Sequence, residues 1–356
     1  MAYNRKQRLN DNIKAIETAF ILDREQRTPT ARERLLLERY CGFGGLKCIL
    51  NPARELADAV HWAKSDLELF APTVELHRLI RENSKNESEY KQLMDSLKQS
   101  VLTAFYTPSA VTEALTDVLK EHQIIPEKVL EPSAGIGAFV DSVLDNNPKA
   151  DIMAFEKDLL TGKILRHLHP EQKVRIEGFE KIEKPFNDYF DLAISNIPFG
   201  DVAVFDPSYT AMKGMRALVT RRIHNYFFVK ALDTVRDGGL VAFITSQGVL
   251  NAKNNSAARF MMLYHADLVS AIRLPNNLFT ENANTEVGSD LIILQKNTQK
   301  ESLRGDDNLL DTVYNDENRI PTNNYFLEHP ERIIHTTAKL DTDPFGKPAM
   351  IYTHED

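Results

Sequence analysis

The stretch Val129-Leu-Glu-Pro-Ser-Ala-Gly-Ile-Gly-Ala-Phe139 decides how the rest of the chain is read. Two apolar residues run into an acidic one, a Pro-Ser-Ala turn and two glycines follow, and an apolar run with helical spacing begins. The pattern predicts a strand, a glycine-rich turn and the first turn of a helix. Gly135 and Gly137 lack Cβ, so backbone N–H groups can come close to a ligand there. A dinucleotide site would want a third glycine where Val140 stands, and Glu131 would repel a pyrophosphate. Glu131 suits a ligand with a cationic, amino-acid-like end instead. The next predicted strand, Asp151–Phe155, runs into Glu156, where a carboxylate can accept hydrogen bonds from both hydroxyls of a ribose. The ligand implied has ribose and no phosphate.

Working outward, short apolar runs alternate with amphipathic stretches. They predict strands near 128–131, 151–155, 174–177, 190–195, 239–245, 267–274 and 289–296. The last two are separated only by the polar loop Pro275–Gly288, which predicts an antiparallel pair closing a mostly parallel sheet. Residues 1–100 read as a helical accessory region. Ile13, Ile16 and Phe20 recur at helical spacing, Thr30 can cap a helix running to about Tyr40, and further helices are expected over 54–70, 72–83 and 87–100. Gly42-Phe-Gly-Gly-Leu46 reads as a turn, since no strand precedes it and no Gly-Lys-Ser/Thr follows. The expected division is 1–100 helical, 101–300 α/β, and 301–356 an acidic polar tail or linker that wraps the surface.

The 356 residues, 42% hydrophobic and 26% charged, exclude a wholly disordered or fibrous chain. No apolar run reaches the roughly 18 residues of a membrane span and the N-terminus has no apolar signal core, so a cytoplasmic protein is expected. Cys41 and Cys48 are too few for an ordinary zinc site, and no metal is expected. The net charge of −8 argues against a nucleic-acid partner until its distribution is read. Residues 301–356 carry 12 acidic and 5 basic side chains, leaving 39 and 38 in the first 300. Within that neutral body Lys213, Arg216, Arg221 and Arg222 form a basic cluster that could grip phosphates.

The segment EPSAGIGAF, Glu131 to Phe139, resembles the first cofactor motif of class I S-adenosylmethionine-dependent methyltransferases, in their DNA adenine-N6 branch. Ala104-Phe-Tyr-Thr-Pro108 resembles that branch's lead-in. The resemblance implies a Rossmann-like seven-stranded sheet with an antiparallel last strand. It also implies S-adenosylmethionine as cofactor, held by Tyr106, Thr107, Pro108, Glu131, Pro132, Ser133, Gly135, Gly137, Phe139, Glu156, Lys157 and Asn196, with Phe179 or Glu180 on its adenine.

Asn196-Ile-Pro-Phe199 follows the predicted strand 190–195 and resembles the branch's catalytic motif Asn/Asp-Pro-Pro-Phe/Tyr, with Ile197 as a departure. An exocyclic purine amine is a poor nucleophile because its lone pair is delocalised into the ring. Two acceptors on its hydrogens, the Asn196 side-chain oxygen and the carbonyl of Ile197, bias the nitrogen toward a tetrahedral form aimed at the sulfonium methyl. The carbonyl survives replacement of proline by isoleucine, so a looser loop with retained contacts is expected. Pro198 fixes the turn and Phe199 offers a face for an extruded base. Cytosine C5 chemistry is excluded, since neither cysteine follows a proline. A protein glutamine, an RNA base, or a non-catalytic cofactor- or DNA-binding module of a mobile element stay open as alternatives. Tyr40–Leu46 and Asn324–Glu331 resemble segments of large mobile-element and phage methylases in which this domain precedes a helicase-like part. No helicase signature or restriction-modification target-recognition domain is visible here, so the acidic tail reads either as the joint to a helicase-like partner or fused portion or as the end of a stand-alone version.

Overall fold

The computed structural model describes residues 4–103, 107–212, 214–280, 286–303, 305–314, 319–343 and 346–355. Its centre is a seven-stranded sheet of β1 (Lys128–Glu131), β2 (Asp151–Phe155), β3 (Lys173–Arg175), β4 (Phe190–Asn196), β5 (Val235–Ser246), β6 (Ala266–Leu274) and β7 (Ser289–Lys296). The order is β3-β2-β1-β4-β5-β7-β6. Strands β1 to β5 pair in parallel, and β7 runs antiparallel to both β5 and β6. This is the class I methyltransferase arrangement that the sequence predicts. Winding reverses between β1 and β4, so a crevice opens at their carboxyl ends, where open α/β sheets take ligands.

Ahead of the sheet lie α1 (Arg5–Glu25), α2 (Ala31–Glu38), α3 (Phe70–Glu82) and α4 (Glu87–Thr103). Leu9, Ile13, Ile16 and Phe20 form the buried stripe of α1 at the expected spacing. Thr30 starts α2 with a reciprocal cap: its hydroxyl accepts from the Glu33 N–H at 3.3 Å, and the Glu33 carboxylate accepts from the Thr30 N–H at 2.8 Å. The helix predicted over 54–70 is instead two short 3-10 turns, Leu56–His61 and Lys64–Leu69. Trp62, between them, is extended and buried edge-on against Phe70, its ring N–H donating to the Pro52 carbonyl at 2.9 Å. Burying that indole breaks the local helix, a tertiary gain over propensity.

Around the sheet pack α5 (Ser109–Glu121), α6 (Ala138–Asn146) and α7 (Leu159–Leu168), then α8 (Pro207–Thr210), α9 (Met215–Val219), α10 (Ile223–Thr234), α11 (Gly248–Asn251) and α12 (Ser256–His265). The N-terminal helices do not form an isolated core: their cluster takes in Leu160, Ile164 and Leu168 of α7.

After residue 300 the chain forms β8 (Thr312–Tyr314) with β9 (Pro321–Asn323), then α13 (Asn324–Glu328), then β10 (Thr337–Thr342) with β11 (Pro348–Thr353). Leu309, Tyr325 and Phe326 sink into the cluster beneath α10 and α12. Fully buried Arg259 donates to the Leu310, Val249 and Ala252 carbonyls, and the Arg273 guanidinium lies 4.3 Å from the Phe326 ring centre. Among the described residues no helix is long and apolar enough to cross a membrane.

Candidate active site

Three neighbouring strands deliver the predicted residues to one edge. Leu130 of β1 is level with Met153 of β2 and Ala193 of β4, so Glu131, Glu156 and Asn196 all emerge at the carboxyl ends of adjacent strands. The Ser195 hydroxyl donates to the Ser133 carbonyl at 3.2 Å, tying β4 to the glycine-rich loop next to Pro132.

Glu131 is buried. One of its oxygens has no hydrogen-bond partner among the described residues, and its backbone contact is to Val140 in the first turn of α6. Desolvation, with Asp141 and Glu156 nearby, pushes its carboxyl well above the usual range. A buried carboxyl with an unmet oxygen is built for a cationic partner. Glu156 is half-buried, one oxygen accepting from the Gly135 N–H at 2.8 Å and the other from the Asp158 N–H at 2.7 Å. With the Lys157 N–H also contributing, the carboxylate keeps at least one open lone pair for a ribose hydroxyl. Burial and the Asp158 charge push Glu156 up to about 8.

The two glycines do different work. Gly135 has φ +57° and presents its N–H to Glu156. Gly137 has φ +93°, and a Cβ there would lie 2.5 Å from His169 Nε2 and 2.9 Å from Leu165 Cδ1. Its missing Cβ therefore lets α7 and His169 close behind the loop, where the sequence suggested ligand approach. Desolvation, then the nearby Arg34 charge, lowers His169 to about 4, so the ring is neutral.

Phe139, expected on the cofactor, points into the core with Val140 and Val143, because α6 turns that face to the sheet. Phe179 is also core: 1% exposed, it meets Phe155 and Phe227 at 5.8 and 5.3 Å between ring centres. Of the two candidates for the adenine side, Glu180 is the accessible one, 3.8 Å from the exposed Lys157. Thr107 and Pro108 are half-buried at the start of α5, where Pro108 occupies the N-cap. Tyr106 lies outside the described residues, as does Lys213.

At the end of β4, Asn196 is half-buried, while Ile197 is 1% exposed in the main core. The Ile197 N–H donates to the Ile244 carbonyl at 3.0 Å and prolongs the β4–β5 ladder. The loop is thus anchored where looseness was expected, through a donor proline does not have. Pro198 is half-buried and Phe199 packs one side on the cluster of Phe139, Leu274 and Phe279.

The basic cluster divides. Arg216 is committed to Asp233 through two hydrogen bonds of 2.6 and 2.9 Å, which removes it from the predicted phosphate grip. Arg222 pairs with Asp201 at 2.7 Å and also bonds Asn254. Arg221 is exposed and makes no ion pair among the described residues.

Sequence reading missed the brace behind Glu156. Ser96 of α4 donates to Asp158 at 2.7 Å and accepts from the Leu160 N–H at 3.0 Å, and Tyr40 meets Thr161 at 3.3 Å. The accessory helices thereby hold the start of α7 and the loop presenting Glu156. An N-cap signal at Asp158 was visible in sequence, but its partner 62 residues earlier was not.

The profile of the family described as N-6 DNA Methylase matches residues 88–350. Defense against restriction protein B of Escherichia phage P1 is 29% identical over 201 residues, 55% of this chain and 8% of that protein. Type II methyltransferase M.XamI of Xanthomonas campestris pv. amaranthicola is 25% identical over 173 residues, 45% of this chain and 33% of that one. The chain thus spans a small part of the curated relatives it matches. Among solved structures, the type IIG restriction endonuclease BpuSI aligns with a TM-score of 0.45 at 17% identity, covering 84% of this chain and 38% of that one.

Proposed function

Because the chain belongs to the N-6 DNA methylase family, we propose that it transfers a methyl group from S-adenosylmethionine to the exocyclic amine of an adenine extruded from DNA. The observation that supports this reading is that Glu131, Glu156 and Asn196 stand at the carboxyl ends of neighbouring strands beside the β1/β4 switch point. When bound, S-adenosylmethionine supplies an electrophilic methyl on a cationic sulfur.

The chain's own groups do the rest. Glu131 takes the cationic amino-acid end, and Glu156, preset by the Gly135 and Asp158 N–H groups, accepts from the ribose hydroxyls. Glu180 and Lys157 flank the adenine side of the cofactor. Asn196 Oδ1 and the Ile197 carbonyl accept the two amine hydrogens, holding the nitrogen lone pair toward the methyl. Residue 197 is pinned by its buried side chain and its bond to Ile244, so this acceptor is already oriented before DNA arrives. Phe199 stacks on the extruded base. No side chain is asked to act as general base, and the amine proton passes to water after transfer. Arg221 contacts the strand's phosphates, while Arg222 is held beside it by Asp201 and Asn254. The relatives' much greater length supports a further portion acting with this domain.

The test is incubation with unmethylated DNA and labelled cofactor, followed by nucleoside analysis. The wild type should yield N6-methyladenine. Asn196→Ala should lose at least about 100-fold in turnover with cofactor binding intact, the scale of losing one preorganised transition-state hydrogen bond. Unchanged turnover in that variant would move the chemistry elsewhere, and a cofactor-binding wild type that yields no N6-methyladenine would overturn the function.

A further inference from the structure

A cleft of about 480 Å³ lies beside the catalytic loop, between Asp201, the α9–α10 junction and the start of α12. That volume is within the roughly 300–1,000 Å³ of small-ligand sites. None of its lining residues is among those assigned to the cofactor, so the cofactor reading leaves it unused.

Its lining has three chemically distinct parts. Arg221 lines it with an exposed guanidinium that makes no ion pair among the described residues. Leu218 and Ala258 supply an apolar wall. The third part is an amide network: Asn255 is buried, gives its N–H to the Gly248 carbonyl at 2.7 Å, and accepts from Arg222 and from Asn225, the latter at 2.9 Å. That leaves the Oδ1 of Asn225, a side chain 5% exposed, without a partner among the described residues. That oxygen is sealed from solvent, so the network frames the cleft rather than reaching into it. An exposed guanidinium beside an apolar wall matches the phosphate and the base face of one nucleotide.

We propose that this cleft holds the nucleotide adjoining the target adenine on the same DNA strand, with Arg221 on its phosphate and Leu218 against the face of its base. The proposal rests on the methylation reading for the identity of the strand. Gripping the neighbour explains how a base could be kept extruded over Asn196: the backbone is anchored one step from the flipped residue, at the end of the loop that carries Phe199. Arg222 is the link between the two places, because its partner Asp201 closes that loop and its other contacts line the cleft.

The experiment uses the full chain saturated with S-adenosylhomocysteine and a fluorescently labelled DNA duplex of mixed sequence, with affinity read by anisotropy over a range of salt. Arg221→Ala should weaken binding about tenfold at low salt and reduce the salt slope by about one. Leu218→Trp, which fills the cleft from a partly exposed position and leaves all charges, should weaken it comparably with the slope kept. Wild-type affinity and slope in both cleft variants would overturn the proposal. Methylation is scored separately: cleft-dependent binding without methyl transfer overturns the function alone, and normal adenine methylation by both variants overturns the cleft alone.

Discussion

Replacing Ile197 by proline, the residue the catalytic motif ordinarily carries there, should cost stability. The Ile197 N–H donates to the Ile244 carbonyl at 3.0 Å, and the side chain is 1% exposed. Proline removes the donor and strands the carbonyl, a loss of about 1–3 kcal/mol for a buried group. Its ring also fills the site with one carbon fewer, at about 0.8 kcal/mol per buried methylene. Together these give roughly 2–4 kcal/mol and a fall in melting temperature on the order of 5 °C. Ile197→Val keeps the N–H and removes one methylene, so it should lose only about 1 kcal/mol. Thermal and urea unfolding of the two variants separate the effects. A proline variant as stable as the valine variant would refute the reasoning, because the ladder bond would then contribute nothing.

Gly137→Ala combines a positive φ, worth about 1–2 kcal/mol against an L residue, with a contact to His169 that requires movement. Calorimetry should show S-adenosylhomocysteine binding at least about tenfold weaker, partly restored by adding His169→Ala; unchanged affinity in the single variant would exclude the packing role. Glu156, near 8 in the folded chain against an ordinary 4.5, holds a proton at neutral pH that the unfolded chain does not, so its contribution to stability falls as pH rises from 4.5 to 8. Binding of the cationic cofactor should strengthen from pH 6 to 8, level off above, and release protons at pH 7, seen as a buffer-dependent enthalpy; a flat profile contradicts this. His169 runs the other way, since only the unfolded chain protonates between 6.5 and 4, and His169→Phe should flatten the loss of stability measured over that window. Asp290→Ala strands the buried Arg273 it holds at 2.9 Å and should cost about 3–5 kcal/mol in urea unfolding, whereas an Arg273→Met, Asp290→Leu pair should recover most of it.

The sequence by itself determined what depends on neighbours a few residues apart. Strand and helix periodicity, the Thr30 cap and the strand–glycine–helix signature around Gly135 are local patterns, and they sufficed for the seven-stranded sheet and for placing Glu131, Glu156 and Asn196 at its carboxyl edge. What the tertiary structure decided was which way the flanking side chains face and which charges are already spent. Phe139 and Phe179 occupy motif positions, yet both rings fill the core, because an aromatic beside a glycine turn reads alike whether it meets a ligand or the sheet. Arg216 and Arg221 are both basic residues in one run, yet Asp233 neutralises the first from a different turn of the fold and leaves the second at the cleft. Ser96 reaches Asp158 across 62 residues, and the Ile197 N–H finds its acceptor on β5. Chain-distant partners leave no trace in local spacing; they are fixed only when packing closes, and that closure sets which groups remain available to bind.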